Sequence, residues 1–189
     1  MLNEIGKSLS PKVRCVINIA NRGAGLPDGG LFTADQFQKG NDAQPKQGQP
    51  PARGVLEAKP ASEDVEIART IQVERYCGEY GLVLVTNFRQ FLLLGRGPQG
   101  KPVLLETYSL ADDEKAFWTA AVHAQRTASE HGQRFCEYLK RVMLSNAPLT
   151  FAPSRPPKTA SPSGLPRSKP TISSGPGRSI SAPYRRATA

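Results

Sequence analysis

Residues 54–96 read GVLEAKPASEDVEIARTIQVERYCGEYGLVLVTNFRQFLLLGR, and the order of apolar runs and breakers in them decides the fold class. Gly54 to Lys59 is a short run halted by Pro60, which has no N–H to give to a ladder, so it predicts a strand. Ser62 followed by Glu63, Asp64 and Glu66 has the features of a helix start, because a hydroxyl and first-turn acids satisfy free N–H groups and the positive end of the dipole. The spacing predicts a helix from Ser62 to Tyr80, stopped by Gly81. Leu82 to Thr86 and Phe91 to Leu94 are two apolar runs around Asn87-Phe88-Arg89-Gln90, which predicts a hairpin.

Working outward, Val13 to Ile19 alternates Val13, Cys15, Ile17 and Ile19 on one face, the period of a half-buried strand, and ends at the turn Asn21-Arg22-Gly23. Pro27-Asp28 then feeds a second strand around Leu31-Phe32. Gln38 to Arg53, rich in Gln, Pro, Gly and Lys, is a surface loop. On the other side, the connection Gly95 to Pro102 leads into a strand from Val103 to Leu110. Asp112 to Val122 and Ala128 to Leu144 are helical, the second with Phe135, Tyr138, Leu139, Val142 and Met143 on one side. The order β-β-β-α-β-β-β-α-α predicts an α/β fold, a mixed sheet flanked by helices.

The chain has 189 residues, with 25 Lys and Arg against 16 Asp and Glu. Phe151 to Ala189 contains seven basic residues, no acid, eight Pro and eight Ser. It is expected to be a disordered tail, since it cannot bury enough apolar surface to offset its backbone entropy. The remaining 150 residues hold 18 basic and 16 acidic groups, so they are near neutral, and basicity alone is no argument for nucleic acid. Residues 1–150 are thus expected to form one domain and 151–189 the tail. No stretch approaches the ~20 apolar residues of a membrane helix, and Met1 to Leu9 lacks the apolar centre of an export signal. A cytoplasmic protein with no membrane partner is expected. Cys15, Cys77 and Cys136 lie too far apart for a zinc cluster or a disulfide framework and read as buried thiols.

One constellation carries chemistry. Asp28 stands in PDGG, Glu57 and Lys59 in LEAK, and Gln72 and Tyr76 in QVERY, an arrangement with the form of the PD-(D/E)xK phosphodiesterase motif. Carboxylates of Asp28 and Glu57 on neighbouring strands can hold Mg²⁺ by oxygen, and that metal polarises a scissile phosphate and lowers the pKa of a bound water. Glu57 and Lys59, two apart on a strand, share a face, which brings the ammonium beside the metal to orient the water and stabilise developing charge. Gln72 and Tyr76, four apart on a helix, also share a face, positioned to touch nucleic-acid backbone or brace the carboxylates. The 29 positions between Asp28 and Glu57 are absorbed by the polar loop, because closure entropy grows only with the logarithm of length.

With these residues in place, PKVRCVINIANRGAGLPDGGLFTADQF, LEAK, QVERYCGEYGLVLVTNFRQFLLLGR and FCEYLKRVML together resemble the N-terminal nuclease region of combined restriction–modification enzymes. These are the type ISP-like proteins described as N-6 adenine DNA methylases. The resemblance spans Leu2 to Thr150. It implies a restriction-endonuclease-like fold, double-stranded DNA as substrate, Asp28, Glu57 and Lys59 as the matching catalytic positions, and Gln72 as the matching helix residue. In that family a helix bearing an acid precedes the first strand, and here Leu2 to Leu9 corresponds to its last turns. The sequence contains no NPPY-like tetrad for adenine methylation, and the resemblance implies a fragment of a longer system.

The leading expectation is therefore a Mg²⁺-dependent DNA endonuclease domain of a restriction–modification system. The alternative is a non-catalytic DNA-binding or assembly module that works with other parts of such a system. Weaker signals point elsewhere. Gly95 to Gly100 matches GxGxxG but leads into a β-rich run, so no helix dipole awaits a pyrophosphate and a hairpin turn is expected. His123 and His131 read as surface residues, and Trp118 with Phe117 is expected to pack a helix onto the sheet.

Overall fold

The computed structural model describes residues 1–40, 44–65 and 70–146. The expected tail over 151–189 lies outside the described residues. The elements are α1 (Leu2–Lys7), β1 (Val13–Ile17), β2 (Gly29–Thr33), β3 (Val55–Ala58), α2 (Ile71–Tyr80), β4 (Leu82–Thr86), β5 (Gln90–Arg96), β6 (Pro102–Ser109), α3 (Glu114–Val122) and α4 (Ala124–Leu144). The architecture is α/β, as the alternation of patterns indicates.

The strands form one six-stranded sheet in the order β1-β2-β3-β4-β5-β6. β3 and β4 run parallel, and each of the other neighbouring pairs is antiparallel. Parallel neighbours cannot be joined by a tight hairpin, so the chain crosses over between β3 and β4 through α2. The β2–β3 ladder contains two residue pairs, Gly29 with Leu56 and Gly30 with Val55. Beyond it the Leu31 N–H donates to Gly54 O at 2.9 Å and the Arg53 N–H to Leu31 O at 3.0 Å. Gly54 has a φ of +85°, and a Cβ there would lie 2.4 Å from Leu82 O. Only glycine lets the chain turn into β3 this close to β4.

β4 is buried along its whole length, which explains why Leu82 to Val85 are continuously apolar instead of alternating. Val83 and Val85 face α2 together with Val55, Phe32 and Leu94, against Val73, Tyr76, Cys77 and Tyr80. Leu82 and Leu84 face α4 with Phe91 and Leu93, against Phe135, Tyr138, Leu139 and Val142. Met143, also on α4, packs with Val13, Leu31 and Leu9. The apolar side read for this helix is thus its buried side. Helix α1 lies by β1, where the Asn3 amide oxygen accepts from the Cys15 N–H at 2.7 Å.

Four expectations need correction. Helix α2 begins at Ile71, capped by Thr70, whose hydroxyl accepts from the Val73 N–H. The backbone at Ala61 and Glu63 is instead held by the side chains of Asn87 and Arg89, and 66–69 lie outside the described residues. In β1 the alternation fails after Cys15. Ile17 is 69% exposed, and Asn18, with a φ of +54°, turns the chain so that Ile19 joins the α2 side of the core. Trp118 does not pack onto the sheet: it is 55% exposed, and its indole N–H donates to Glu114 at 3.1 Å. Cys77 is buried, whereas Cys15 and Cys136 are half-buried, and all three are free thiols. Gly97 to Lys101 closes a tight turn between β5 and β6, as expected for the GxGxxG stretch. His123 is exposed, whereas His131 is half-buried, with Nδ1 3.2 Å from the Tyr108 hydroxyl. No helix among the described residues is long and apolar enough to cross a membrane.

Candidate active site

The loop before β2 is shaped by its own polar groups. Asn21 Oδ1 accepts from the N–H groups of Gly23 at 2.7 Å and Gly25 at 3.2 Å. Arg22 donates to Gly48 O at 2.8 Å and lies 3.6 Å from Glu79 of α2. The Asn18 N–H donates to Asp28 O at 3.3 Å. This fixes the backbone at Asp28, just before β2 pairs with β3.

Asp28 is exposed, and its Oδ2 accepts from the Ala58 N–H at 2.7 Å. The carboxylate thus extends the short β2–β3 ladder beyond its last backbone rung and brings Asp28 to the end of β3. Glu57 is 5% exposed and receives the Lys59 ammonium at 2.7 Å. Because Val55 packs against α2, Glu57 and Lys59 lie on that same face by strand alternation. The Lys59 N–H donates to Thr86 O at 2.7 Å, which carries the parallel pairing past Ala58. The hydrogen bond that Lys59 donates to Glu57 raises its pKa, and the negative fields of Glu57, Glu63 and Asp28 raise it further. Lys59 is therefore a cation at neutral pH.

Tyr76 is fully buried and its hydroxyl accepts from the Gln72 side-chain amide at 2.6 Å. A Cβ on Gly25 would lie 3.3 Å from that hydroxyl, so the Asp28 loop runs over it. Burial raises the Tyr76 pKa, and the charges of Glu57 and Asp28 add to the rise. All five residues singled out in the sequence are thus within reach of one another's hydrogen bonds or fields.

Among the described residues no group of three or more His, Cys, Asp or Glu side chains could hold a metal ion. Two carboxylates are nevertheless enough for Mg²⁺, which keeps several of its waters and takes one or two acidic ligands. Two acids against one ammonium leave the cluster net negative. Among the described residues Oδ1 of Asp28 and Oε2 of Glu57 hold no hydrogen bond, the bonds at these acids using Oδ2 and Oε1, so each acid has an oxygen to offer. The donor set therefore fits a hard divalent cation.

The sequence reading missed the knot that backs this cluster. Arg89, 9% exposed, donates to the backbone oxygens of Ala61 at 3.0 Å, Asp112 at 2.8 Å and Glu63 at 3.2 Å. Asn87, fully buried, donates to Glu63 O at 2.6 Å. Both clamp the segment that follows Lys59. The signal available was the pair of polar side chains, Asn87 and Arg89, inside an apolar hairpin.

No protein-family model matches the chain, and no curated protein matches it. Among solved structures it is similar to one described as the cryo-electron-microscopy structure of a DrdV–DNA complex. The two are 15% identical, with a TM-score of 0.43, and the match covers 76% of this chain and 10% of that one. The chain thus spans about a tenth of that protein's length, and the likeness is remote.

Proposed function

We propose that residues 1–150 form a Mg²⁺-dependent DNA endonuclease domain of a restriction–modification system, acting in the cytoplasm on double-stranded DNA. The observation that carries this reading is the convergence of Asp28, Glu57 and Lys59 at adjoining ends of β2 and β3. There Asp28 is locked to the Ala58 N–H and Lys59 to Glu57. The motif-by-motif resemblance to type ISP-like nuclease regions supports it.

In this reading Asp28 and Glu57 would hold the cation by their remaining oxygens, and Mg²⁺ there would supply a Lewis acid able to polarise a phosphate and lower the pKa of a water. Lys59 orients that water and stabilises the charge that develops on the phosphate oxygens. Its raised pKa keeps it charged for that role. Gln72, which is exposed, meets the DNA backbone, while the buried Tyr76 is confined to bracing the cluster from beneath the Asp28 loop.

Supercoiled plasmid with Mg²⁺ or Mn²⁺ provides the test. Expected is slow, sequence-unselective nicking that Lys59→Ala reduces at least about 100-fold, as loss of a charge-stabilising donor does, with unchanged circular dichroism. Equal cutting by wild type and Lys59→Ala would overturn the assignment. DNA binding without cutting in either metal would favour the non-catalytic module.

A further inference from the structure

The hairpin between β4 and β5 displays a residue that the nuclease chemistry leaves unused. Phe88 has a φ of +66°, a region in which a bulky side chain is an outlier. It occupies the first central position of a two-residue turn, where glycine is the usual choice. Its ring is 54% exposed, so packing inside the chain does not account for the strain.

The surroundings hold Phe88 in this conformation. Asn87 Oδ1 accepts from the N–H groups of Arg89 at 3.2 Å and Gln90 at 2.8 Å. Thr86 Oγ1 accepts from the Phe88 N–H at 2.9 Å, and the Arg89 guanidinium anchors the turn from below. Strain that is over-determined in this way is characteristic of ligand clamps.

Position gives the clamp an object. Thr86 O receives the Lys59 N–H, so the turn stands at the end of the sheet that carries the candidate site. Other exposed apolar side chains border the same residues. Leu26 is 66% exposed two positions before Asp28, and Ile71 is 70% exposed next to Gln72. Two cations of the site are already paired, Lys59 with Glu57 and Arg22 with Glu79. An apolar rim around a phosphodiester site offers little to phosphates and much to the faces of bases, which stack on aromatic rings whatever their sequence.

We propose that Phe88 contacts substrate directly, laying its ring on a nucleobase beside the scissile phosphate where the duplex opens. This rests on the nuclease reading above. A mismatched duplex costs less to open than a matched one, so the contact favours mismatched DNA.

The test uses the full chain carrying Lys59→Ala, with matched and centrally mismatched oligonucleotide duplexes. Phe88→Gly relieves the positive φ, so its urea midpoint should equal or exceed that of the parent. Its affinity for the mismatched duplex should nevertheless fall about tenfold, the worth of one stacked base. The slope of affinity with salt should be unchanged, because no phosphate contact is removed. In a Trp118→Phe background, Phe88→Trp should lose emission on binding. Unchanged affinity of Phe88→Gly, or unquenched emission from DNA-bound Phe88→Trp, would overturn the proposal while leaving Mg²⁺-dependent cutting by the wild type intact. Absence of both DNA binding and cutting in the wild type would overturn the nuclease reading as well.

Discussion

Replacing Arg89 with methionine preserves the side-chain stem and removes the guanidinium. In the structure that group serves three backbone oxygens, those of Ala61, Glu63 and Asp112. Glu63 O keeps a donor in the Asn87 amide, so the variant orphans two carbonyls. A polar group left unpaired by removal of its partner costs roughly 1–3 kcal/mol. Two of them give about 3 kcal/mol once partial access of water to the loop is allowed for, a large share of the roughly 5–15 kcal/mol that holds a domain together. Arg89→Lys supplies a point charge without the planar fork and should recover about a third of the loss. Urea unfolding followed by circular dichroism, with equal slopes, gives both differences. A cost below about 1 kcal/mol for Arg89→Met, or full recovery by lysine, would show that the knot does not hold the segment after Lys59.

Gly54→Ala meets both a φ of +85° and a backbone oxygen 2.4 Å from the new Cβ. It should destabilise by at least about 2 kcal/mol, more than the ordinary penalty of a left-handed residue, and a midpoint within error of wild type would refute this. Cys77 is fully buried, and burial pushes its thiol up to about 11. Its folded form therefore holds a proton that the unfolded chain releases near its usual pKa of about 8.5, so Cys77 withdraws stability as pH rises from about 8.5 towards 11. In a Cys15→Ser, Cys136→Ser background, labelling by a disulfide reagent at pH 8 should follow global unfolding, and rapid labelling of the native protein would contradict it.

The parts legible in the sequence were those decided by local periodicity. LVLVT and FLLLG read as strands because continuous apolar runs suit a strand buried on both faces, and the spacing of Glu57 and Lys59 placed them on one face before any tertiary contact was known. Long-range hydrogen bonding was not legible. Ser62, Glu63 and Asp64 imitate a helix start, yet the carbonyls there are held by Arg89 and Asn87, which lie more than twenty positions away. A single left-handed residue, Asn18, moved Ile19 across the sheet. Trp118 misled because α3 has no buried residue, which its apolar content does not reveal. At the candidate site, PDGG pointed to Asp28, but its bond to the Ala58 N–H belongs to tertiary structure.

The two-pair ladder between β2 and β3 divides the acids between separately stitched halves of the sheet. Asp28 rides on the β1–β2 hairpin, with five residue pairs of its own, and Glu57 rides on strands tied through β4 to the rest. Local opening should therefore run along this seam before either half loosens, and amide exchange at Ala58, which donates to Asp28 across it, would be the sensitive gauge. A ligand that engages both acids staples the halves together, so occupancy and rigidity of the seam become one equilibrium seen from two sides. Its tightness at the site is then matched by added resistance of the whole sheet to unfolding, growing with the logarithm of ligand concentration.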